Sequence, residues 1–137
     1  IPIVAPATFY ATMKGDKPER FVAGLQPLLR KTSGLPAEIE PSMYDANIYE
    51  IVGIYVEAIK KAGVTGKPED LEADRAKIRD YMTTLTGFNG FNGLGGPIGF
   101  NEDGDAIKAF YIVQGQNGAW ESKVRGCSAP AGSPGGC

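Results

Sequence analysis

What this chain lacks bounds its chemistry as firmly as what it carries. No histidine occurs among its 137 residues, which removes the usual general base, the Ser-His and Cys-His nucleophile pairs and the commonest zinc ligand together. Carboxylates remain, but none of the 16 Asp and Glu residues is paired in an apolar stretch that would raise one pKa for acid/base work near neutral pH. They read as helix caps, turns and surface. Asn101-Glu102-Asp103-Gly104-Asp105 sets oxygen side chains at alternate positions, as a calcium loop does. Its glycine falls at the fourth position instead of the sixth, however, and Ile112 stands where the twelfth-position acid belongs. A turn between two strands accounts for it. The glycines from Gly90 to Gly99 lack the preceding strand, the following helix and the spacing that cradle a phosphate. The sequence therefore predicts no metal, no cofactor and no enzyme.

Partners are bounded in the same way. A formal charge of -2 without a basic run leaves no electrostatic footprint for nucleic acid. The longest apolar run, residues 51–56, is closed by Glu57 and falls far short of the roughly 20 residues that span a bilayer, so one soluble, compact body is expected. Cys127 and Cys137 are the two cysteines. Their spacing in a Gly/Pro/Ser-rich stretch suits a small disulfide loop as well as it suits free thiols.

The elements that must position any site are organised around residues 41–63. Ile48, Val52, Tyr55, Ile59 and Ala62 recur at helical spacing, and Ile51, Ile54, Val56 and Ala58 widen the stripe. Polar side chains keep only a strip through Asn47, Glu50, Glu57 and Lys61. A helix buried on most of its circumference is predicted, with Ser42 and Asp45 as a capping box and Gly63 as its stop. Before it, residues 1–6 read as a strand, and Phe9 and Tyr10 lie just past its end, where α/β proteins place ligand contacts. Packing under a loop is the competing reading of both aromatics. Asp16 is expected to cap a helix over residues 17–31, bent or broken at Pro27, since an interior proline costs about 3 kcal/mol.

A third helix begins near Pro68, with Leu71, Ile78, Tyr81, Met82 and Leu85 as its apolar stripe and Asp74 among its solvated charges. Residues 87–97 read as a glycine loop. A hairpin follows, with strands at residues 98–100 and 106–114 around the Asn101–Asp105 turn, and a further turn at Gln116-Asn117-Gly118 leads to a last strand over residues 119–124. The division expected is a folded portion over residues 1–124 and a disordered tail over residues 125–137.

Taken together, several segments are similar to the C-terminal part of the branched-chain amino acid type periplasmic solute-binding proteins of ABC importers. They are Tyr44-Asp45-Ala46 opening the long helix, Glu57-Ala58-Ile59-Lys60-Lys61-Ala62-Gly63 closing it, Gly96-Pro97-Ile98-Gly99-Phe100-Asn101-Glu102-Asp103-Gly104-Asp105, and Phe110-Tyr111-Ile112-Val113-Gln114. The resemblance covers residues 1–120. It implies an α/β fold, part of a two-lobed type I periplasmic-binding-protein fold, with three helices of one lobe, a C-terminal β-hairpin and crossover strands at the hinge. It also implies a periplasmic protein that binds a hydrophobic amino acid or a related small carboxylate, such as an aromatic acid, by hinge closure.

The partners this implies are the small-molecule ligand, the remaining N-terminal part of the protein as a second chain, and the membrane permease of an ABC importer. The residues themselves point the same way, because a helix apolar on most sides has too few strands here to cover it. Carried to matching positions, the cleft wall of the resembled proteins falls on Ile39, Pro41 and Tyr44, with Phe9 and Tyr10 near the crossover. An apolar wall with a Tyr hydroxyl suits the side chain of a small acid, while its charge is held by groups elsewhere. A ligand-sensing module of a receptor or regulator on the same fold is the alternative.

Overall fold

The computed structural model describes residues 3–32, 34–36, 38–87 and 90–127, the side chains only as far as residue 123. In chain order the described elements are β1 (Val4–Ala7), α1 (Asp16–Lys31), α2 (Met43–Lys61), a 3₁₀ turn (Pro68–Asp70) running into α3 (Leu71–Thr84), β2 (Phe91–Asn92), β3 (Pro97–Phe100), β4 (Ala106–Gln116) and β5 (Ala119–Cys127). The strands form one antiparallel sheet, and β4 is the strand most of them share. It pairs with β3 over residues 106–108, with β1 over residues 111–114 and with β5 over residues 109–116. Ala5 stands opposite Val113, so β1 is stitched to a strand more than a hundred positions later. β4 and β5 turn through Asn117 and Gly118 at φ 49° and 80°, the two positive dihedrals that a tight hairpin matched to strand twist demands.

Why the helices form where they do is local. Ser42 caps α2 through the Asp45 backbone N–H while the Asp45 carboxylate accepts from the Ser42 N–H at 2.8 Å, so the predicted capping box is present. Gly63, at φ 65°, ends it in the left-handed conformation. Asp16 is not the cap of α1. Gly15 occupies that position, and Asp16 is the first helical residue, its carboxylate taken by Arg20 one turn on at 3.1 Å. α1 also runs unbroken through Pro27 to Lys31.

Two cores hold the layers together. Phe9, Met13, Phe21, Ala46 and Leu94 join α1 to the start of α2, and Ile54, Leu85 and Ile98 join the middle of α2 to the end of α3 and to β3. The largest departure from the sequence reading lies in α2. Its apolar circumference is not buried within this chain: Ile48, Val52, Tyr55 and Ile59 are between 43 and 62% exposed. The side turned inward carries Ala46, Glu50, Ile54 and Ala58 instead, so Glu50 is buried, not part of a solvated strip.

Three further readings change. Asp74 is buried, because the loop after α2 wraps over it and needs its carboxylate as an acceptor for the Thr65 and Gly66 N–H groups at 3.0 and 2.9 Å. The glycine loop contains the short strand β2, paired with β3 at Phe91 and Asn92. β5 continues to Cys127, three residues past the expected end at Val124, since Gly126 and Cys127 still find partners in Phe110 and Ala109. Cys137 and the possible disulfide lie outside the described residues.

Candidate functional site

β1 ends at Ala7 and delivers Phe9 and Tyr10 to a tight turn closed by the Met13 N–H on the Tyr10 carbonyl at 2.9 Å. The N-terminus of α2 comes up beside them, carrying buried Pro41, the Ser42 cap, Met43 and Tyr44. Behind both stand Val113 of β4 and Trp120 of β5. These residues enclose a cavity of about 340 Å³. Four of the five residues expected at the site therefore line one cavity: Phe9, Tyr10, Pro41 and Tyr44. Ile39 is not among its lining, and lies half-buried in the preceding loop with its N–H on the Pro36 carbonyl at 3.2 Å.

The four contribute differently. Phe9 is buried and meets Phe21 edge-on at 5.3 Å, so it serves the core as well as the wall. Tyr10 leans edge-on against Tyr111 at 5.6 Å, and Tyr111 in turn donates to the Gly95 carbonyl at 3.1 Å, which fixes the ring pair to the glycine loop. Tyr44 is 70% exposed at the rim, its position set by the capped helix end. The wall is apolar and aromatic, with Glu40 as the charged side chain in its lining. Larger concavities of about 630 and 1320 Å³ lie along α1 and along α3. They are more open grooves, the first facing the glycine loop and the second the Asn101–Gly104 turn, and neither draws together the end of β1 and the entrance of α2.

Between α2, β4 and the glycine loop is a polar cluster around buried Glu50 that the sequence reading missed. Lys108 Nζ of β4 donates to Glu50 Oε2 at 2.6 Å and to Asn47 Oδ1 at 3.1 Å, and the other Glu50 oxygen accepts from the Leu94 N–H at 2.7 Å. Thr8 Oγ1, at the end of β1, reaches the same Asn47 oxygen at 3.3 Å. One carboxylate thereby joins α2, β4 and the glycine loop. Gly93 is glycine for this reason, since a Cβ there would come within 2.6 Å of Glu50 Oε1. Glu50 and Lys108 are 58 residues apart, and nothing in their local spacing links them.

Two more carboxylates are tuned by their partners. Burial alone raises the Asp74 carboxyl, but the Gly66 and Thr65 N–H groups, Lys77 and the Thr65 hydroxyl outweigh it and hold it well below the usual carboxylate range. Glu57 is lowered by the Tyr81 hydroxyl, which donates to it at 2.6 Å, and by Lys61. The same contact pushes the Tyr81 phenol up. The Glu57–Tyr81 contact fastens α3 to α2, the Asp74 cluster fastens α3 to the loop after α2, and both lie away from the cavity lining.

The arrangement defines a class of fold: this is part of a type I periplasmic-binding-protein fold, three helices with crossover strands and a C-terminal hairpin. Two solved structures carry the comparison. The leucine-binding protein LivK of Thermotoga maritima matches with a TM-score of 0.63 and 22% identity over 90% of this chain and 30% of that one. An ABC transporter solute-binding protein of R. palustris, in complex with benzoate, matches with a TM-score of 0.66 and 13% identity over 88% of this chain and 28% of that one. The chain thus spans under a third of the length of these proteins. No protein-family model and no curated protein matches the sequence. Among the described residues no helix is long and apolar enough to cross a membrane.

Proposed function

We propose that this chain is part of the solute-binding component of an ABC importer, working in the periplasm and holding a hydrophobic amino acid or a related small carboxylate by hinge closure. The observation that carries the reading is the convergence of Phe9, Tyr10, Pro41 and Tyr44 on one cavity where β1 meets the entrance of α2. The two solved neighbours, one a leucine-binding protein and one holding benzoate, agree with it. Such a wall receives the apolar part of a solute, and a second lobe supplies the groups that grip its charge. The ligand stabilises the closed state by binding it more tightly than the open one. No bond is made or broken.

The exposed apolar side of α2 supports the second half of the proposal. A helix carrying Ile48, Val52, Tyr55 and Ile59 at 43 to 62% exposure is stable in water only at a cost that covering it removes. The rest of the two-lobed fold, on the same or a second polypeptide, is the cover.

Native and denaturing mass spectrometry tests both halves on protein purified from its complete gene. The expected result is a bound small carboxylate that denaturation releases, together with polypeptide beyond this chain. A folded chain of this length alone, with no molecule bound and no affinity for leucine or benzoate, overturns the proposal.

A further inference from the structure

We propose that Trp120 is a specificity-determining residue of this cavity, holding the apolar end of the solute; the inference rests on the solute-binding reading above. Trp120 follows the two-residue turn of the β4–β5 hairpin and stands opposite Gly115. A Cβ at Gly115 would lie 3.7 Å from the indole Cζ3, ordinary contact distance, so the ring packs beside the Gly115 backbone on the face that carries Val113. Thr12 Oγ1 donates to the Trp120 carbonyl at 2.5 Å, which ties the start of β5 to the loop that carries Tyr10. Trp120 nevertheless keeps 40% of its surface exposed while lining the cavity beside Tyr10, Tyr44 and Val113.

The chemistry of the lining selects the ligand class. Its charged side chain is Glu40, which repels a carboxylate, and its remaining polar side chains, the hydroxyls of Tyr10, Ser42 and Tyr44, carry no positive charge to draw one in. What it offers is a large, rigid, apolar face whose burial by a ligand is favourable and whose ring geometry favours another flat group. The part of the solute that meets Trp120 is therefore an aryl or branched-alkyl group, and the carboxylate points away from it.

Trp120 is also the chain's sole tryptophan, which makes the test direct. Wild-type protein, Trp120→Phe and Trp120→Ala, each expressed from the complete gene, are titrated with leucine, phenylalanine, benzoate and any co-purified molecule by calorimetry and by intrinsic fluorescence. Truncation to Ala is expected to weaken the tightest ligand about tenfold. Phe should retain most of the affinity while changing the ratio of phenylalanine to leucine binding. The wild-type minus Trp120→Phe emission should shift on saturation.

If affinities and ratios stay within about twofold in Trp120→Phe and the difference emission does not move, the indole only packs on Gly115 and the proposal falls, with solute binding left standing. If no ligand binds the wild type, the solute-binding reading falls and takes this proposal with it. Because Phe keeps an aromatic ring in the hairpin, a folding defect in the Ala variant leaves the ratio and the emission to decide.

Discussion

The two sides of α2 follow opposite rules. The inward side buries a carboxylate among small and apolar residues, Ala46, Glu50, Ile54 and Ala58, while the outward side shows solvent Ile48, Val52, Tyr55 and Ile59. Ordinary amphipathic helices do the reverse. On the inward side the charge is tolerable because every partner is fixed: Lys108, the Leu94 N–H and Asn47 form a closed set around it. On the outward side nothing among the described residues plays that part. One face is closed by partners among the described residues, and the other is left facing solvent.

The comparison breaks most sharply at the ion pair. Lys108→Met leaves Glu50 uncompensated among buried groups and is expected to cost about 3–5 kcal/mol in urea unfolding. Adding Glu50→Gln, which keeps an oxygen for the Leu94 N–H, should recover much of that loss. A single variant within about 1 kcal/mol of wild type would show that the pair does not hold the inward face. The outward face is probed by Ile48→Ala. In the chain alone its effect should stay under about 0.5 kcal/mol, whereas in the protein from the complete gene a covered Ile48 should cost about 2 kcal/mol or more. Equal small effects in both would mean that this face stays in solvent.

The smallest effect concerns the anchor of α3. The Asp74 carboxyl is held below its ordinary value of 3.8, so in acid the unfolded chain takes up the proton first. Stability from this group is fully present at neutral pH, begins to fall below about pH 4 and continues to fall as the pH drops through the folded value. Asp74→Asn should be less stable at pH 7 and show a shallower acid slope in a series of thermal melts. An unchanged slope would place the acid sensitivity elsewhere.

What was legible in the sequence followed from local rules. The Ser42 and Asp45 capping box, the Gly63 stop and the Asn117-Gly118 turn each depend on residues within a few positions of one another, and each formed as read. Phe9 and Tyr10 stand out by their place just past the first strand, Pro41 and Tyr44 through the family resemblance, and the structure groups those four in one cavity. What escaped depends on distant parts of the chain meeting. Glu50 looked like solvated surface because its partner comes from β4 and its second donor from the glycine loop. Trp120 had no visible role until β4 was seen to bring β1 and β5 together. Asp74 sat in a run of charges, and only the loop folding back from Gly63 to Gly66 reveals it as an acceptor.

The pairing of Ala5 with Val113 has a kinetic consequence. The β4–β5 hairpin closes over two residues and can form early and locally, whereas docking β1 closes the long loop between Ala5 and Val113. Such a contact is slow to find, since chain entropy is lost before any pairing repays it. The cavity needs β1, α2, β4 and β5 together, so it does not exist until that late step is made. A solute bound there would pull that step to completion, and its removal should be felt first at the β1 seam.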